Sequence, residues 1–376
     1  MPLSRHEPAL ALGSRVDGGP RRYEFHTADS CCSPDGFRPA TLALLEACWE
    51  ERLGRLLVPA ANYGVVGCVL ASVADAVVMT ETSARAAACC ERNSSTNGVD
   101  ATVATTAHPA GADSTFDTVA YAPKPYTPVA VGKQRVANAL ATLAPGGTLY
   151  VAGNTTTGLG RYEDCLAGLT GRVETVHDGE ARVVAATRPE TVDPPAFVEP
   201  REFAATVDGV DLSLVSVPGT FSAGHLDHGT RLLLETATVD DDARVLDLCC
   251  GYGPVGSYAG SVADCDLWLT DDDAVATACA ERTLAENGVD ATVVTADAVS
   301  GVADRRFDHV LSNPPTHAGD GVLSDLFSGM EHVLASDGRA TVVHHRSLDL
   351  TRHFERFPSV ETLATGAEHV VVRLHE

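Results

Sequence analysis

Short apolar runs alternate with longer amphipathic stretches along this chain. In its second half, Arg244–Leu248 is apolar apart from the acid Asp247 and is short enough for a strand. A glycine-rich turn follows, Gly251-Tyr252-Gly253-Pro254-Val255-Gly256, and a helix is expected to start there. Asp266–Thr270 reads as the next strand, and the Ala-rich Ala274–Glu286 as a helix stopped by Asn287-Gly288. Ala291–Thr295 is β-branched and strand-like. Phe307–Ser312 is a further strand, ended by "NPP", because proline has no N–H to give a sheet ladder. Strands alternating with helices predict an α/β fold with a parallel sheet.

The pattern occurs twice. "ERNSSTNGVDATVATTA" from Glu91 returns as "ERTLAENGVDATVVTAD" from Glu281. "GRLLVPAANYGVVG" (Gly54–Gly67) aligns with "ARVLDLCCGYGPVG" (Ala243–Gly256), and "TFDTVAYAPK" (Thr115–Lys124) with "RFDHVLSNPP" (Arg306–Pro315). So long a separation predicts a duplicated domain rather than a solenoid. The Pro- and Glu-rich "ATRPETVDPPAFVEPRE" reads as a linker. The expected division is residues 1–187, a linker at 188–203, and 204–376.

In parallel α/β sheets, ligands sit at the carboxyl ends of the strands. Asp247, Asp271, Asp297 and Asn313 all fall at or near such ends. Glycines 251 and 253 are expected to let a ligand approach the backbone. Asp271 lies after the second strand, where an acid accepts hydrogen bonds from ribose hydroxyls. For Asp272 and Asp273 a solvated acidic face is the competing reading. An anionic cluster suits a ligand carrying positive charge and no phosphate.

"VLDLCCGYGPVG", the acid after strand two, "TADA" and "SNPP" together resemble a class I S-adenosylmethionine (SAM) methyltransferase. The resemblance implies two tandem Rossmann-like domains. It implies Asp247, Cys249 and Gly251–Gly253 around the methionine part of SAM. Asp271 and Asp272 would then lie at the ribose, and Asp297 and Ala298 at the adenine. Cys249 stands where the family's turn has its first glycine. The Asn-Pro-Pro corner, Asn313-Pro314-Pro315, resembles that of enzymes acting on planar nitrogen. There the Asn313 side-chain oxygen and the Pro314 carbonyl would hold an exocyclic amine with its lone pair toward the methyl group. The duplication, "VDGVDLSLVSVPGTFSAGHLDHGTRLLLE" and "NPPTHAGDG" further resemble the RsmC/RlmG-type rRNA guanine-N2 methyltransferases. That implies ribosomal RNA, with the small subunit preferred, or an assembling subunit as partner, and a cytoplasmic enzyme. Thr316 stands where this family commonly has an aromatic residue, so His317 or Phe221 is expected to stack on the base. Two other readings stay open: a methyltransferase of another planar nitrogen (glutamine N5 or adenine N6), and a non-catalytic RNA-binding or ribosome-assembly protein.

The first copy is expected to be degenerate. Val58 replaces Asp247, Asn62 replaces Gly251, and Ala107 replaces Asp297. Ala122-Pro123-Lys124 replaces Asn313-Pro314-Pro315, and only Glu81 keeps the charge of its counterpart, Asp271. No SAM site is expected there, and Lys124, near Lys133 and Arg135, is expected to meet an RNA phosphate.

Charge adds one further expectation. The formal net charge is −24, yet 44% of residues are hydrophobic, so the chain is not a disordered acidic tail. This resembles the proteins of halophilic archaea. No basic stripe marks an RNA platform, which matters less at molar salt, where the Debye length shrinks to about 3 Å. Arginines 21 and 22 remain available to phosphate. The 11 cysteines show no C-x-x-C spacing and are expected as small core residues. His225 and His228 lack further ligands, so no metal is expected. His344-His345 is expected at a strand end. The N-terminal stretch lacks a signal-peptide core, and Tyr63–Thr80, broken by Asp75, is no membrane span.

Overall fold

The computed structural model describes residues 5–16, 18–107, 115–155 and 157–375. The N-terminal stretch is thus covered from Arg5 onward. The chain divides into two compact units, Arg5–Glu199 and Pro200–Glu376.

The first unit opens with a hairpin, β1 (Arg5–Gly13) and β2 (Arg22–Ala28), and the helix α1 (Pro39–Cys48). There follow β3 (Arg55–Pro59), α2 (Val65–Leu70), β4 (Ala76–Glu81), α3 (Ala84–Thr96), β5 (Thr102–Thr105) and β6 (Phe116–Tyr121). It closes with α4 (Val129–Thr142), β7 (Leu143–Gly153), α5 (Leu159–Thr170), β8 (Glu174–Asp178) and β9 (Arg182–Thr187).

The second unit repeats this plan. It has a hairpin, β10 (Arg201–Val207) and β11 (Val210–Ser216), then α6 (His228–Leu234), β12 (Arg244–Leu248) and α7 (Pro254–Val262). Next come β13 (Asp266–Asp271), α8 (Ala274–Asn287), β14 (Thr292–Thr295), β15 (Phe307–Ser312) and α9 (Asp320–Val333). The chain ends with β16 (Leu334–His345), α10 (Thr351–Phe354), β17 (Ser359–Thr365) and β18 (His369–His375).

The two seven-stranded sheets have the same order, β5-β4-β3-β6-β7-β9-β8 and β14-β13-β12-β15-β16-β18-β17. The first five strands of each are parallel, and the last two pair antiparallel. These are the tandem Rossmann-like domains of the sequence reading. The strand β10 begins at Arg201, inside the stretch expected as linker at 188–203.

β12 is buried from Val245 to Leu248, so its near-continuous apolar pattern serves a strand covered on both faces. One face of the sheet, with Leu267 and Leu269 of β13, packs on α7 and α8 through Ala259 and Ala280, and the other, with Val310 of β15, on α9 through Leu326 and Met330.

The repeated Asn-Gly does more than end a helix. Gly288 does cap α8 with φ 64°. Asn287 meanwhile clamps the hairpin strand β11, accepting from Ser213 N–H at 2.9 Å and donating to its carbonyl at 2.7 Å. Asn97 makes the same pair of bonds to Glu24 in the first unit, at 2.9 and 2.8 Å. Each unit therefore docks its hairpin on the helix after its second sheet-forming strand through an asparagine amide. Asn93 adds a second clamp to His26 in the first unit, at 2.8 Å both ways, where the second unit has Thr283 bonded to Val215.

Candidate active site

The turn after β12 brings Asp247, Gly251 and Asp271 together. Asp247 is 1% exposed, and its carboxylate accepts from Gly256 N–H in the first turn of α7 at 2.8 Å. Asp271 ends β13; its Oδ2 accepts from Gly251 N–H and its Oδ1 from Asp273 N–H, both at 2.9 Å. Those two bonds lock its rotamer and leave one lone pair on each oxygen for a ligand. Asp273 caps α8, accepting from Val275 N–H at 2.9 Å, so it is a helix cap rather than a free member of an acidic face. Asp272, beside it, is half-buried. Asp297 and Ala298 follow β14, and the loop is held to β13 by Ala296 N–H donating to the Asp271 carbonyl at 2.9 Å.

Burial pushes Asp247 up to about 7, against the Gly256 hydrogen bond that favours the anion, and Asp271 nearby adds to the rise. Asp271 is likewise pushed up to about 7 by burial, with Asp273 and Asp272 adding repulsion. No cation pairs with Asp247 or Asp271 among the described residues. Buried Asp247 and half-buried Asp271, without a counter-ion, fit a cationic ligand and oppose a phosphate.

The two glycines of the turn divide the work that the sequence reading gave to both. Gly251 has φ 56°, and a Cβ there would meet nothing within 4 Å, so its face is open for a ligand. Gly253 has φ 84°, and a Cβ there would lie 3.1 Å from the Ala280 Cα. Gly253 is therefore a close-packing position against α8. Cys249 adopts φ 64°, the left-handed conformation that explains a glycine in the family turn. Burial holds its thiol well above the usual range, so it stays neutral.

Asn313 follows β15. Its amide Nδ2 donates to Thr230 Oγ1 at 2.9 Å and to Asp227 Oδ2 at 3.3 Å. Asp227 and Thr230 were not singled out in the sequence; their signal was "LDHGT" directly before an apolar helix, where Asp227 is the N-cap. The Asn313 Oδ1 accepts no hydrogen bond among the described residues. The Pro314 carbonyl accepts from Thr316 N–H at 2.9 Å, and that of Pro315 from Ala318 N–H at 2.9 Å, so the corner is rigid. Pro314 keeps a second lone pair. Thr316 is half-buried, His317 is exposed, and Phe221 is 57% exposed in the loop between β11 and α6.

The corresponding place in the first unit is filled. Asn62 N–H bonds Glu81 Oε1 at 2.5 Å, as Gly251 bonds Asp271. The Asn62 side chain occupies the turn, accepting from Cys32 N–H and donating to Cys32 carbonyl, both at 2.8 Å. Lys124, expected to meet an RNA phosphate, turns inward instead: its Nζ lies 3.0 Å from Glu81 Oε1 with 12% of the side chain exposed.

The histidines serve elsewhere. His225 meets Ser222 Oγ at 3.1 Å. His344, in the last residues of β16, is held below its usual pKa by burial. Among the described residues no group of three or more His, Cys, Asp or Glu could hold a metal ion, and no helix is long and apolar enough to cross a membrane.

The "Methyltransferase small domain" family matches residues 22–185 and again residues 211–373. The chain belongs to that family. Both of its units thus carry the family's domain. The chain is 30% identical over 262 residues to the Ribosomal RNA small subunit methyltransferase C of Pseudoalteromonas atlantica, covering 67% of this chain and 75% of that protein. It is 46% identical over 110 residues to that of Pasteurella multocida, which covers 29% of this chain and only 33% of the relative. Among solved structures, the T. thermophilus 16S rRNA N2 methyltransferase (RsmC) in complex with AdoMet and guanosine superposes with a TM-score of 0.77 at 23% identity. That superposition covers 98% of both chains and shows a shared two-domain fold.

Proposed function

We propose that the second unit binds SAM and transfers its methyl group to the exocyclic N2 of a guanine in small-subunit ribosomal RNA. The observation that carries this reading is Asn313: both amide hydrogens are spent on Asp227 and Thr230, and Oδ1 is left as an acceptor. The relatives' names support the choice of ribosomal RNA, and the guanosine bound by the structural neighbour supports guanine over adenine or glutamine.

When bound, SAM supplies an electrophilic methyl group on a sulfonium. Asp271 and Asp272 would hold its ribose hydroxyls, Asp297 and Ala298 its adenine, and Asp247, Cys249 and Gly251 would surround the methionine part. Asn313 Oδ1 and the Pro314 carbonyl take the two N–H bonds of the guanine amine. The ring drains the nitrogen lone pair, and two fixed acceptors favour the pyramidal nitrogen that frees it. Their dipoles also stabilise the positive charge that develops on nitrogen, so no strong base is needed. Phe221 and His317 offer surfaces for the base, and the first unit binds no SAM. The net charge of −24 further supports a protein folded and active at high KCl, where carboxylate repulsion is screened.

Titration calorimetry tests the assignment. One SAM per chain is expected. Asn313→Ala should keep SAM affinity within a few-fold while turnover falls by orders of magnitude. Near-normal turnover in that variant would remove Asn313 from the reaction.

A further inference from the structure

Asparagine has a weakness as an acceptor. Its amide is nearly symmetric in shape, and a half-turn about its last side-chain bond replaces the carbonyl oxygen by NH2. A site that must accept from an amine is then blocked by a donor. An enzyme that relies on Asn313 therefore needs something to choose the flip.

From Asp227 and Thr230 we infer that this pair forms the positioning device for Asn313. The inference rests on the role proposed for Asn313 above. An ionised carboxylate carries only lone pairs, so the Asn313 atom facing Asp227 Oδ2 at 3.3 Å must be the NH2 group. Thr230 Oγ1, 5% exposed, takes the second amide hydrogen at 2.9 Å. The Thr230 hydroxyl in turn donates to Asp227 Oδ2 at 3.4 Å, which leaves its own lone pair toward Asn313. In the opposite flip, the Asn313 oxygen would face the carboxylate with no hydrogen between them.

The device is itself anchored. Asp227 Oδ2 accepts from Thr230 N–H at 2.9 Å as the N-cap of α6, so α6 fixes the carboxylate along the helix axis. The residue before the cap, Leu226, is 8% exposed in the same apolar cluster as Leu233 and Val343. The loop carrying Tyr252 is tied to the segment before it by the Tyr252 hydroxyl, which donates to the His225 carbonyl at 3.0 Å. One carboxylate thus serves two tasks, capping a helix and orienting the acceptor amide that follows β15.

The two tasks separate by substitution. Serine and asparagine both cap helices, but only asparagine has the reach to place an oxygen where Asp227 Oδ2 meets Asn313. Asp227→Ser should lower kcat at least tenfold with SAM affinity and melting temperature close to wild type. Asp227→Asn should restore most of that loss. Thr230→Val, which keeps the buried shape, should lower kcat several-fold. In an Asn313→Ala background, Asp227→Ser should add nothing, because the amide it orients is gone. If Asp227→Ser turns over within twofold of wild type, or if its penalty persists in the Asn313→Ala background, the positioning role is overturned. If Asn313→Ala itself keeps activity, the reading of the acceptor corner fails first, and the two failures are told apart. Should Asp227→Ser fail to fold, Thr230→Val alone and in the Asn313→Ala background decides by the same comparison.

Discussion

Lys124 Nζ lies 3.0 Å from Glu81 Oε1, and the pair fills the first unit where the second unit holds Asp271. Burial opposes the charge on Lys124, but Glu81 more than offsets it and holds the ammonium above its usual pKa. The lysine of the altered corner is thus spent on an internal ion pair. Removing one partner strands a buried charge. Lys124→Ala should destabilise the protein by about 3–5 kcal/mol, whereas Lys124→Met with Glu81→Gln should cost much less. Chemical denaturation checks both. A Lys124→Ala loss within error of zero would mean that the pair is open to solvent.

Gly251 and Gly253 should respond differently to alanine. Both have positive φ, so each substitution carries a backbone penalty of about 1–2 kcal/mol. At Gly253 the new Cβ also meets Ala280 Cβ at 3.0 Å and Cα at 3.1 Å, and the melting temperature should fall further. At Gly251 the Cβ enters open space, and the larger loss should be in SAM affinity. Melting curves and SAM titrations on the two variants separate a packing glycine from a ligand-facing one.

The two acids give the ligand-free protein a pH signature. Asp247 and Asp271 are pushed up to about 7, against about 4 in an unfolded chain. The folded state therefore holds protons that the unfolded state has released. Their contribution to stability is fully present below about pH 4 and is lost as pH rises through about 7. Asp247→Asn should flatten part of this fall and melt higher than wild type at pH 8, while binding SAM more weakly. Parallel wild-type and variant melting curves from pH 5 to 8 would contradict the assignment.

Phe221 is a large apolar side chain at 57% exposure in the loop between β11 and α6, which also carries Asp227. Phe221→Ala should leave melting temperature and SAM affinity unchanged and raise KM for RNA, since base–aromatic stacking contributes about 1–3 kcal/mol. An unchanged KM would pass that role to His317.

Much of this was legible in the residues. β12 and β15 fall where Arg244–Leu248 and Phe307–Ser312 predict them, because buried parallel strands are marked by continuous apolar runs and by breakers at their ends. The hairpins β1–β2 and β10–β11 and the antiparallel pair ending each sheet were not read. Their period-two alternation, as in Val210-Asp211-Leu212-Ser213-Leu214 of β11, differs from the continuous apolar runs that mark the buried parallel strands. The acids at the strand ends were found because topology places them there. The asparagine clamps, the split roles of Gly251 and Gly253, and the Asp227–Thr230–Asn313 contacts depend on which side chains meet across elements far apart in the chain. Lys124 shows the same limit, since a lone lysine in a sequence does not say whether it faces solvent or an internal acid.

Methyl transfer to guanine N2 is read from the nucleoside product. Small ribosomal subunits lacking the modification should be incubated with the enzyme and methyl-labelled SAM at high KCl, and the RNA digested to nucleosides. The label should appear in N2-methylguanosine and vanish with Asn313→Ala. Label in N6-methyladenosine or in protein glutamine, or none in RNA while SAM still binds, would contradict the account.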